Sequence, residues 1–245
     1  PPRLPVQRHK VVIVEGLIGS GKTTLSRELG RALGPTTLTL FEPDEKGGTD
    51  QGGGNPYLAD YYTDPNRWSF VLQVHQLQAR FRMHQQAQWH VMQGAGHAVL
   101  DRSYFGDTAF AHLQVQNGTM SEREFSTYSS IYHAMTASVM LPNICVRILT
   151  SPEICNERVS RRMQNETGRK CEEAIDLDYL RGLEREIDHM VAVLRGMSVT
   201  VLDVPWDVDR ESPESRASAI EALAARIHSL AAPVSGFLDL HRRTL

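Results

Sequence analysis

One eight-residue stretch constrains the fold of this chain more than any other feature. The stretch Gly16-Leu-Ile-Gly-Ser-Gly-Lys22-Thr23 directly follows the apolar run 11–14 and opens a helix-like segment. Glycines let such a loop curl so that its backbone N–H groups converge on phosphate oxygens, and the N-terminus of the following helix adds partial positive charge. The lysine of this pattern reaches the β- and γ-phosphates, and the threonine hydroxyl is offered to Mg²⁺. The sequence therefore predicts a nucleoside triphosphate site made by Gly16, Gly19, Ser20, Gly21, Lys22, Thr23 and Thr24.

Composition narrows the class of protein. The 245 residues are 41% apolar, which is enough to build one large domain around a full core. A formal charge of −3 gives no excess of cations for a nucleic-acid backbone, so we expect no nucleic-acid partner. Cys145, Cys155 and Cys171 have no pairing or CxxC spacing, which indicates a reducing compartment. Without a run of membrane-span length or a signal-peptide stretch, we expect a cytoplasmic protein with no membrane contact.

Strand-like and helix-like patterns alternate along the chain. Buried-type strands are predicted at 11–14, 37–41, 98–101, 144–149 and 199–203, with helices between them. This alternation predicts a parallel sheet covered on both faces. Residues 66–92 have helical spacing, and helix starts are predicted at the capping box Ser121–Glu124 and at the Ser-Pro pairs 151–152 and 212–213. Residues 47–54 are rich in glycine and predict a flexible loop within one domain.

Charged residues follow three of the other strands. Glu42 ends the second predicted strand and Asp101-Arg102 ends the third, while the helix after the fourth carries an arginine cluster, Arg158, Arg161 and Arg162. Ligands of open parallel sheets bind at the carboxyl ends of the strands. Carboxylates that take a proton or hold Mg²⁺, together with arginines that neutralise a transferring group, suit phosphoryl transfer. Taken singly, the same residues are also typical of a strand end, a surface salt bridge and a solvated helix face.

The order of these motifs from residue 11 to about 194 resembles the deoxynucleoside kinase family. The resemblance implies a three-layer α/β P-loop kinase with a five-stranded parallel sheet flanked by helices and an arginine-bearing lid at about 158–172. Glu42 in Phe-Glu-Pro is similar to the general base of the family, and Asp101-Arg102-Ser103 to the motif that organises Mg²⁺ and holds the 5′ end of the substrate. By the same resemblance, the lid cations are Arg158 and Arg162, and the substrate side chains are Tyr62, Gln73, Phe110 and Glu172.

Two further residues concern the base of the substrate. Arg80 and Asp107 match a pair that the deoxycytidine and deoxyguanosine kinase branches share, so the resemblance implies a purine or cytosine base. A base with exocyclic amino groups suits an acceptor such as Asp107 held by Arg80. A structural salt bridge is the alternative for this pair. The tryptophan that follows Glu-Pro in many members is absent, because this chain continues from Pro43 into Asp44-Glu-Lys-Gly.

The sequence thus predicts a deoxynucleoside 5′-kinase of nucleotide salvage, which uses ATP and Mg²⁺ and, by resemblance, forms a homodimer. Catalysis is assigned to Lys22, Glu42 and Arg102, and the metal ligands are Thr23 and Asp101. A kinase acting on deoxynucleoside monophosphates is one alternative, with Arg80 and Arg102 near the acceptor phosphate. A non-catalytic nucleotide-binding regulatory subunit is the second. A C-terminal tail is expected from about residue 231 in a single domain of residues 1–245.

Overall fold

A computed structural model describes residues 9–42, 55–165, 175–206 and 212–231. Within these ranges five strands form one parallel sheet in the order β2-β3-β1-β4-β5. The strands are β1 (Val11–Glu15), β2 (Leu38–Leu40), β3 (Ala98–Asp101), β4 (Ile144–Leu149) and β5 (Thr200–Pro205). The predicted five-stranded parallel sheet is confirmed.

Helices connect the strands and cover both faces of the sheet. They are α1 (Lys22–Ala32), α2 (Leu58–Thr63), α3 (Pro65–Met92), α4 (Tyr104–Gln116), α5 (Glu122–Thr136), α6 (Pro152–Asn165), α7 (Leu177–Gly196) and α8 (Pro213–Ser229). On one face α1 and α8 pack around Leu25, Leu202 and Trp206. On the other, α3, α4, α5 and α7 bury most of the remaining core. None of the helices in the described ranges is long and apolar enough to cross a membrane.

Three strands differ in their bounds from the sequence prediction. The strand β1 continues one residue beyond 11–14, to Glu15. The strand β2 is shorter than 37–41 because it lies at the sheet edge and pairs with β3 only from Leu38 to Leu40. The strand β5 starts later and ends later than 199–203, because its pairing with β4 continues until Pro205 lies beside Leu149. A proline is tolerated at this place, since β5 is the other edge strand. The parallel register brings the carboxyl ends of all five strands to one side of the sheet.

Helix starts follow the predicted signals. The hydroxyl of Ser121 accepts from the Glu124 N–H while the Glu124 carboxylate accepts from the Ser121 N–H, which confirms the capping box. Side-chain caps are also present at Ser151 and Ser212, each followed by proline at the first helical position. The glycine-rich stretch 47–54, residue Cys171 and the tail beyond 231 lie outside the described residues.

Candidate active site

The phosphate loop lies between β1 and α1, and its glycines are needed for both conformation and space. Gly19 and Gly21 have φ values of 81° and 94°, in the left-handed region that side chains avoid. A Cβ at Gly19 would lie 2.7 Å from the carbonyl oxygen of Cys155, and one at Gly21 would lie 2.9 Å from Nε1 of Trp206. The loop is therefore held tightly from β5 and α6, with its backbone free to approach an anion. Gly16, Ser20 and Thr24 complete the predicted set, and the buried Ser20 hydroxyl has no hydrogen-bond partner among the described residues.

Lys22 begins α1 and points back into this loop. Its ammonium donates to the carbonyl oxygen of Leu17 at 2.5 Å. Burial and the neighbouring Arg102 lower the pKa of Lys22 to about 7, although the charges of Asp101 and Glu42 oppose the shift. A buried ammonium among anionic groups, which donates to the Leu17 carbonyl, is suited to bind phosphate oxygens.

The corner between β1 and β3 has the chemistry of a magnesium site. The hydroxyl of Thr23 donates to Oδ2 of Asp101 at 2.6 Å. The second carboxylate oxygen of Asp101 is buried and has no hydrogen-bond partner in the described part of the chain. Burial raises the pKa of Asp101, although Lys22 and the Thr23 hydroxyl lower it. A hydroxyl beside an under-coordinated carboxylate fits Mg²⁺, which prefers hard oxygen ligands and keeps several waters.

Glu42 lies beyond the end of β2, between two arginines. Its Oε1 accepts from Nε of Arg80 at 3.1 Å, and its Oε2 lies 3.0 Å from Nε of Arg102. The carboxylate is 29% exposed, so it is still accessible from solvent. Burial alone would raise its pKa, but the two guanidinium groups outweigh burial and hold the pKa of Glu42 below its usual value. Glu42 is therefore an ionised carboxylate at neutral pH, oriented by Arg80 and Arg102.

Arg102 occupies a sharp turn directly after β3. Its φ of 71° places a non-glycine residue in the left-handed region, which costs on the order of 1 kcal/mol or more. Its side chain is buried, and Nη1 has no hydrogen-bond partner within the described ranges. Backbone strain of this kind persists only where the surroundings over-determine it, and such positions cluster at functional sites. The free Nη1 donor is suited to an anionic group of the substrate.

Arg80 joins Glu42 to a second buried carboxylate. Halfway along α3, with only 2% of its side chain exposed, Arg80 forms a close ion pair with Oδ1 of Asp107 on α4. The other oxygen of Asp107 accepts from the hydroxyl of Tyr128 on α5 at 2.6 Å. Burial raises the pKa of Asp107, and Arg80 and Tyr128 oppose that shift. Arg80 and Gln73 share one helix face, as predicted, and that face is buried, so a solvent-facing stripe is excluded.

Gln73 is fully buried and contacts α4, the helix that carries Asp107. Its amide donates to the backbone carbonyl of Asp107 at 3.0 Å and accepts from the amide of Gln114 at 3.1 Å. Phe110 lies one turn after Asp107, with the guanidinium carbons of Arg80 and Arg102 at 5.4 and 4.8 Å from its ring centroid. The structure thus places Gln73, Arg80, Arg102, Asp107 and Phe110 together.

The remaining predicted residues lie around this cluster. Tyr62 is half-buried on α2, with its ring 5.2 Å from that of Tyr61. Nη1 of Arg158, on α6, lies 3.4 Å from the carbonyl oxygen of Ser20. Arg161 and Arg162 lie on the same helix. The lid beyond residue 165, including Glu172, is outside the described residues.

Two site residues were missed by the sequence interpretation. Glu15, at the end of β1, is completely buried, and its Oε1 accepts from the hydroxyl of Ser103 at 2.5 Å. Tyr128 is equally buried and binds Asp107. The apolar run that predicts β1 stops at residue 14, and a tyrosine on an amphipathic helix is typical of an ordinary core residue. No signal near either residue in sequence could have indicated its partner.

Comparisons with known proteins concern the family and the fold of this chain. Residues 12–228 match the family model described as deoxynucleoside kinase. The deoxyadenosine kinase of Dictyostelium discoideum is 30% identical over 211 residues, which are 86% of this chain and 78% of that protein. The deoxyadenosine/deoxycytidine kinase of Bacillus subtilis (strain 168) is 29% identical over 225 residues, 91% of this chain and 95% of that protein.

The same fold occurs among solved structures. The structure of deoxyadenosine kinase from M. mycoides with bound dATP matches with a TM-score of 0.68 and 21% sequence identity. The match covers 90% of this chain and 100% of that chain. At this identity the likeness concerns the three-layer fold, which the sequence predicted.

Proposed function

Because this chain belongs to the deoxynucleoside kinase family, we propose that it transfers the γ-phosphoryl group of ATP to the 5′-hydroxyl of a deoxynucleoside with a purine or cytosine base. One observation carries the proposal. Glu42 is held as an ionised carboxylate on the acceptor side of the site, near enough to Lys22 of the phosphate loop for their charges to interact. A proton acceptor thus lies opposite a phosphate cradle, as transfer to a hydroxyl requires.

The roles of the side chains follow from their positions. Glu42 takes the proton of the 5′-hydroxyl. Lys22 and the free Nη1 of Arg102 stabilise the negative charge of the transferring phosphoryl group, and Arg158 and Arg162 approach it from the lid side. Thr23 and Asp101 would hold Mg²⁺, which neutralises phosphate charge when bound. Uncatalysed proton loss from an alcohol is slow at neutral pH, so a general base is worth about 10²–10⁴-fold in rate.

The preference for an amino-bearing base rests on Asp107. A carboxylate can only accept hydrogen bonds, and the exocyclic amino groups of adenine, guanine and cytosine donate them. Arg80 and Tyr128 hold this carboxylate in one orientation. The similar proteins named above are kinases of deoxyadenosine and deoxycytidine, in agreement with this preference. Tyr62, Gln73 and Phe110 are proposed to contact the sugar and the base, and Glu172 the sugar.

A deoxynucleoside is favoured over a deoxynucleoside monophosphate as the acceptor. A monophosphate kinase needs cations for the phosphate of its acceptor in addition to those that act on the transferring phosphoryl group, to which Arg102 is assigned here. Arg80 already binds both Glu42 and Asp107 and is buried, so its charge is matched by two carboxylates. Removing it from them would leave buried unpaired charge, which costs about 3–5 kcal/mol.

An ADP-release assay tests the proposal. The protein is supplied with Mg²⁺ and ATP and with each of the four deoxynucleosides or their 5′-monophosphates. We expect ADP release with deoxyadenosine, deoxyguanosine or deoxycytidine and much less with thymidine. Release that depends on monophosphates alone would show a monophosphate kinase, and no release with any acceptor would indicate a non-catalytic subunit. Activity without added Mg²⁺ after chelation would contradict the metal role of Thr23 and Asp101.

Assembly and location complete the proposal. We propose a cytoplasmic homodimer of single-domain subunits, on the strength of the family resemblance. Cys145 and Cys155 are buried free thiols, which suits a reducing compartment. Light scattering measures the mass in solution, and the mass of a monomer would contradict the dimer.

A further inference from the structure

We propose that Glu15 is a positioning residue, which holds Arg102 in the geometry needed for phosphoryl transfer. The inference rests on the proposed function and adds to it a residue that touches neither substrate nor phosphate. Glu15 is the last residue of β1, directly before the phosphate loop. Its side chain points towards the start of α4, where it meets Ser103, the residue after Arg102.

The end of β1 holds the Arg102 turn at two consecutive points. The backbone N–H of Arg102 donates to the carbonyl oxygen of Val14 at 3.1 Å. The hydroxyl of Ser103 donates to Oε1 of Glu15 at 2.5 Å and also accepts from the N–H of Gly106 at 3.3 Å. These contacts fix both sides of a residue whose φ of 71° is unfavourable for a side chain. Without them Arg102 is expected to relax towards ordinary backbone angles and to move its guanidinium group.

The side chain of Glu15 packs closely against the start of α4. Gly106 lies in the first turn of α4, and a Cβ there would be 2.4 Å from Oε2 of Glu15. The carboxylate therefore lies against the N-terminal turn of a 13-residue helix, whose partial positive charge favours an anion. Ser103, the N-cap of that helix, links the anion to the helix end.

Besides its close packing, Glu15 interacts electrostatically with the cations of the site. The Glu15 carboxylate interacts with three cations of the site, Arg102, Arg80 and Lys22. Burial raises the pKa of Glu15, while Arg102, Ser103 and the other two cations oppose the shift. The Glu15 side chain thus lies within electrostatic range of Arg102, a cation that stays buried before the substrate arrives. Among the described residues Ser103 is the hydrogen-bond donor to Glu15, so the effect of Glu15 on the reaction passes through the Arg102 turn.

Three variants separate positioning from general damage. Glu15→Gln keeps the size of the side chain and its Oε1 acceptor but removes the charge. Ser103→Ala removes the hydroxyl that links Glu15 to the turn. Thr108→Val is the matched control, because Thr108 is buried on the same helix and its hydroxyl donates only to the Phe105 carbonyl at 2.7 Å. For each variant kcat, both KM values and the melting temperature are measured, with the wild-type protein in the same assay.

A misplaced Arg102 lowers transition-state stabilisation more than ground-state binding. We therefore expect kcat to fall about 10- to 100-fold in Glu15→Gln and in Ser103→Ala, with nearly unchanged KM values and full folding at the assay temperature. Thr108→Val should retain the wild-type kcat. In the double variant Glu15→Gln/Ser103→Ala the Ser103→Ala change should cost less than it does alone, because the neutral amide of Glu15→Gln is a weaker acceptor than the carboxylate and has already weakened the contact with Ser103.

The outcomes distinguish a failure of the positioning role from a failure of the proposed kinase function. If Glu15→Gln folds and its kcat equals that of the wild-type protein, the positioning role is overturned. Full additivity of the two changes in the double variant overturns it as well. If Glu15→Gln does not fold, Ser103→Ala decides alone, and its wild-type kcat would overturn the proposal. A wild-type protein that releases no ADP with any acceptor refutes the proposed function, and with it the inference.

Discussion

Glu42 shows how a single residue can be an ionised base inside a largely enclosed site. Its two guanidinium partners lower its pKa, so it is charged throughout the neutral range and needs no further activation to accept a proton. The low pKa also makes it a weaker base, and its catalytic value lies in position more than in basicity.

Replacing Glu42 by glutamine therefore tests position and charge together. We expect Glu42→Gln to lower kcat by about 10²–10⁴-fold while ATP binding persists, because the phosphate loop is intact. The measurements are steady-state ADP release and the affinity for ATP. Glu221→Gln is a control, since Glu221 is exposed on α8, which packs on the other face of the sheet from α3 and α4. A kcat close to that of the wild-type protein would remove Glu42 from the mechanism.

Tyr128 offers a test of how Asp107 is held. Tyr128→Phe deletes one hydrogen bond to a buried carboxylate, which should lower the free energy of unfolding by about 1.5–3 kcal/mol. With Asp107 less constrained, the KM for the deoxynucleoside should rise while the KM for ATP stays constant. Thr136→Val on the same helix is the control, because its hydroxyl binds only the Tyr132 carbonyl at 2.7 Å. An equal rise of both KM values would argue against a role in acceptor binding.

Single residues also show what the sequence could and could not predict. Lys22, Thr23, Asp101 and Glu42 were found because phosphate loops and strand ends are recognisable in sequence. The pairing of Arg80 with Asp107, 27 positions later, was expected only from the family resemblance, and its pairing with Glu42, 38 positions earlier, was not expected, because spacing alone does not indicate such partners. Such partners meet only after the sheet has formed.

At the scale of elements, the approach of α4 to β1 determines the shape of the acceptor side. An alanine in a helix is normally better than a glycine by about 1 kcal/mol. At Gly106 the added methyl group would overlap the Glu15 carboxylate, so Gly106→Ala should destabilise the protein and lower kcat. Gly196→Ala, at the end of α7 with nothing within 4 Å of its added methyl group, should be neutral or stabilising. Urea unfolding and ADP release compare the two, and a stabilised, fully active Gly106→Ala would contradict the close contact.

The secondary structure itself was largely predictable. Buried strands, serine caps and the long helix each have a local signal, and the structure confirms all five strands with ends displaced by one or two residues. Apart from the one-residue extension of β1, the displaced ends belong to the edge strands, where the partner strand decides how far pairing continues. The periodicity of α3 predicted a helix with His84 on its apolar face, but it gave no sign that Gln73 and Arg80 would be buried as well. Those polar groups are buried because α4 and the loop after α5 supply partners.

At the scale of the whole molecule, the amino end of the sheet lies opposite the active site and carries a cluster of basic groups. His97 is buried just before β3, where its Nδ1 accepts from the Lys10 N–H at 3.1 Å. The rings of His9 and His228 lie 5.4 and 5.0 Å from it. His228 belongs to α8, and its carbonyl oxygen accepts from the Lys10 ammonium at 3.4 Å. Basic groups at this end of the sheet therefore connect β1, β3 and α8. Their charges favour a neutral His97.

Acid should loosen this end of the sheet. Burial, followed by His228, Lys10 and His9, lowers the pKa of His97 from 6.5 to about 4. Between these values the unfolded chain binds a proton that the folded chain does not, so stability present above pH 6.5 is lost as the pH falls towards 4, by at most about 1.4 kcal/mol per pH unit. His97→Asn keeps an acceptor for Lys10 but cannot titrate. The stability of the wild-type protein relative to this variant, measured by urea unfolding, should therefore decrease from pH 7 to pH 4.5. Buried carboxylates and His84 titrate alike in both proteins, and a difference that does not change with pH would show that His97 is not held neutral by the fold.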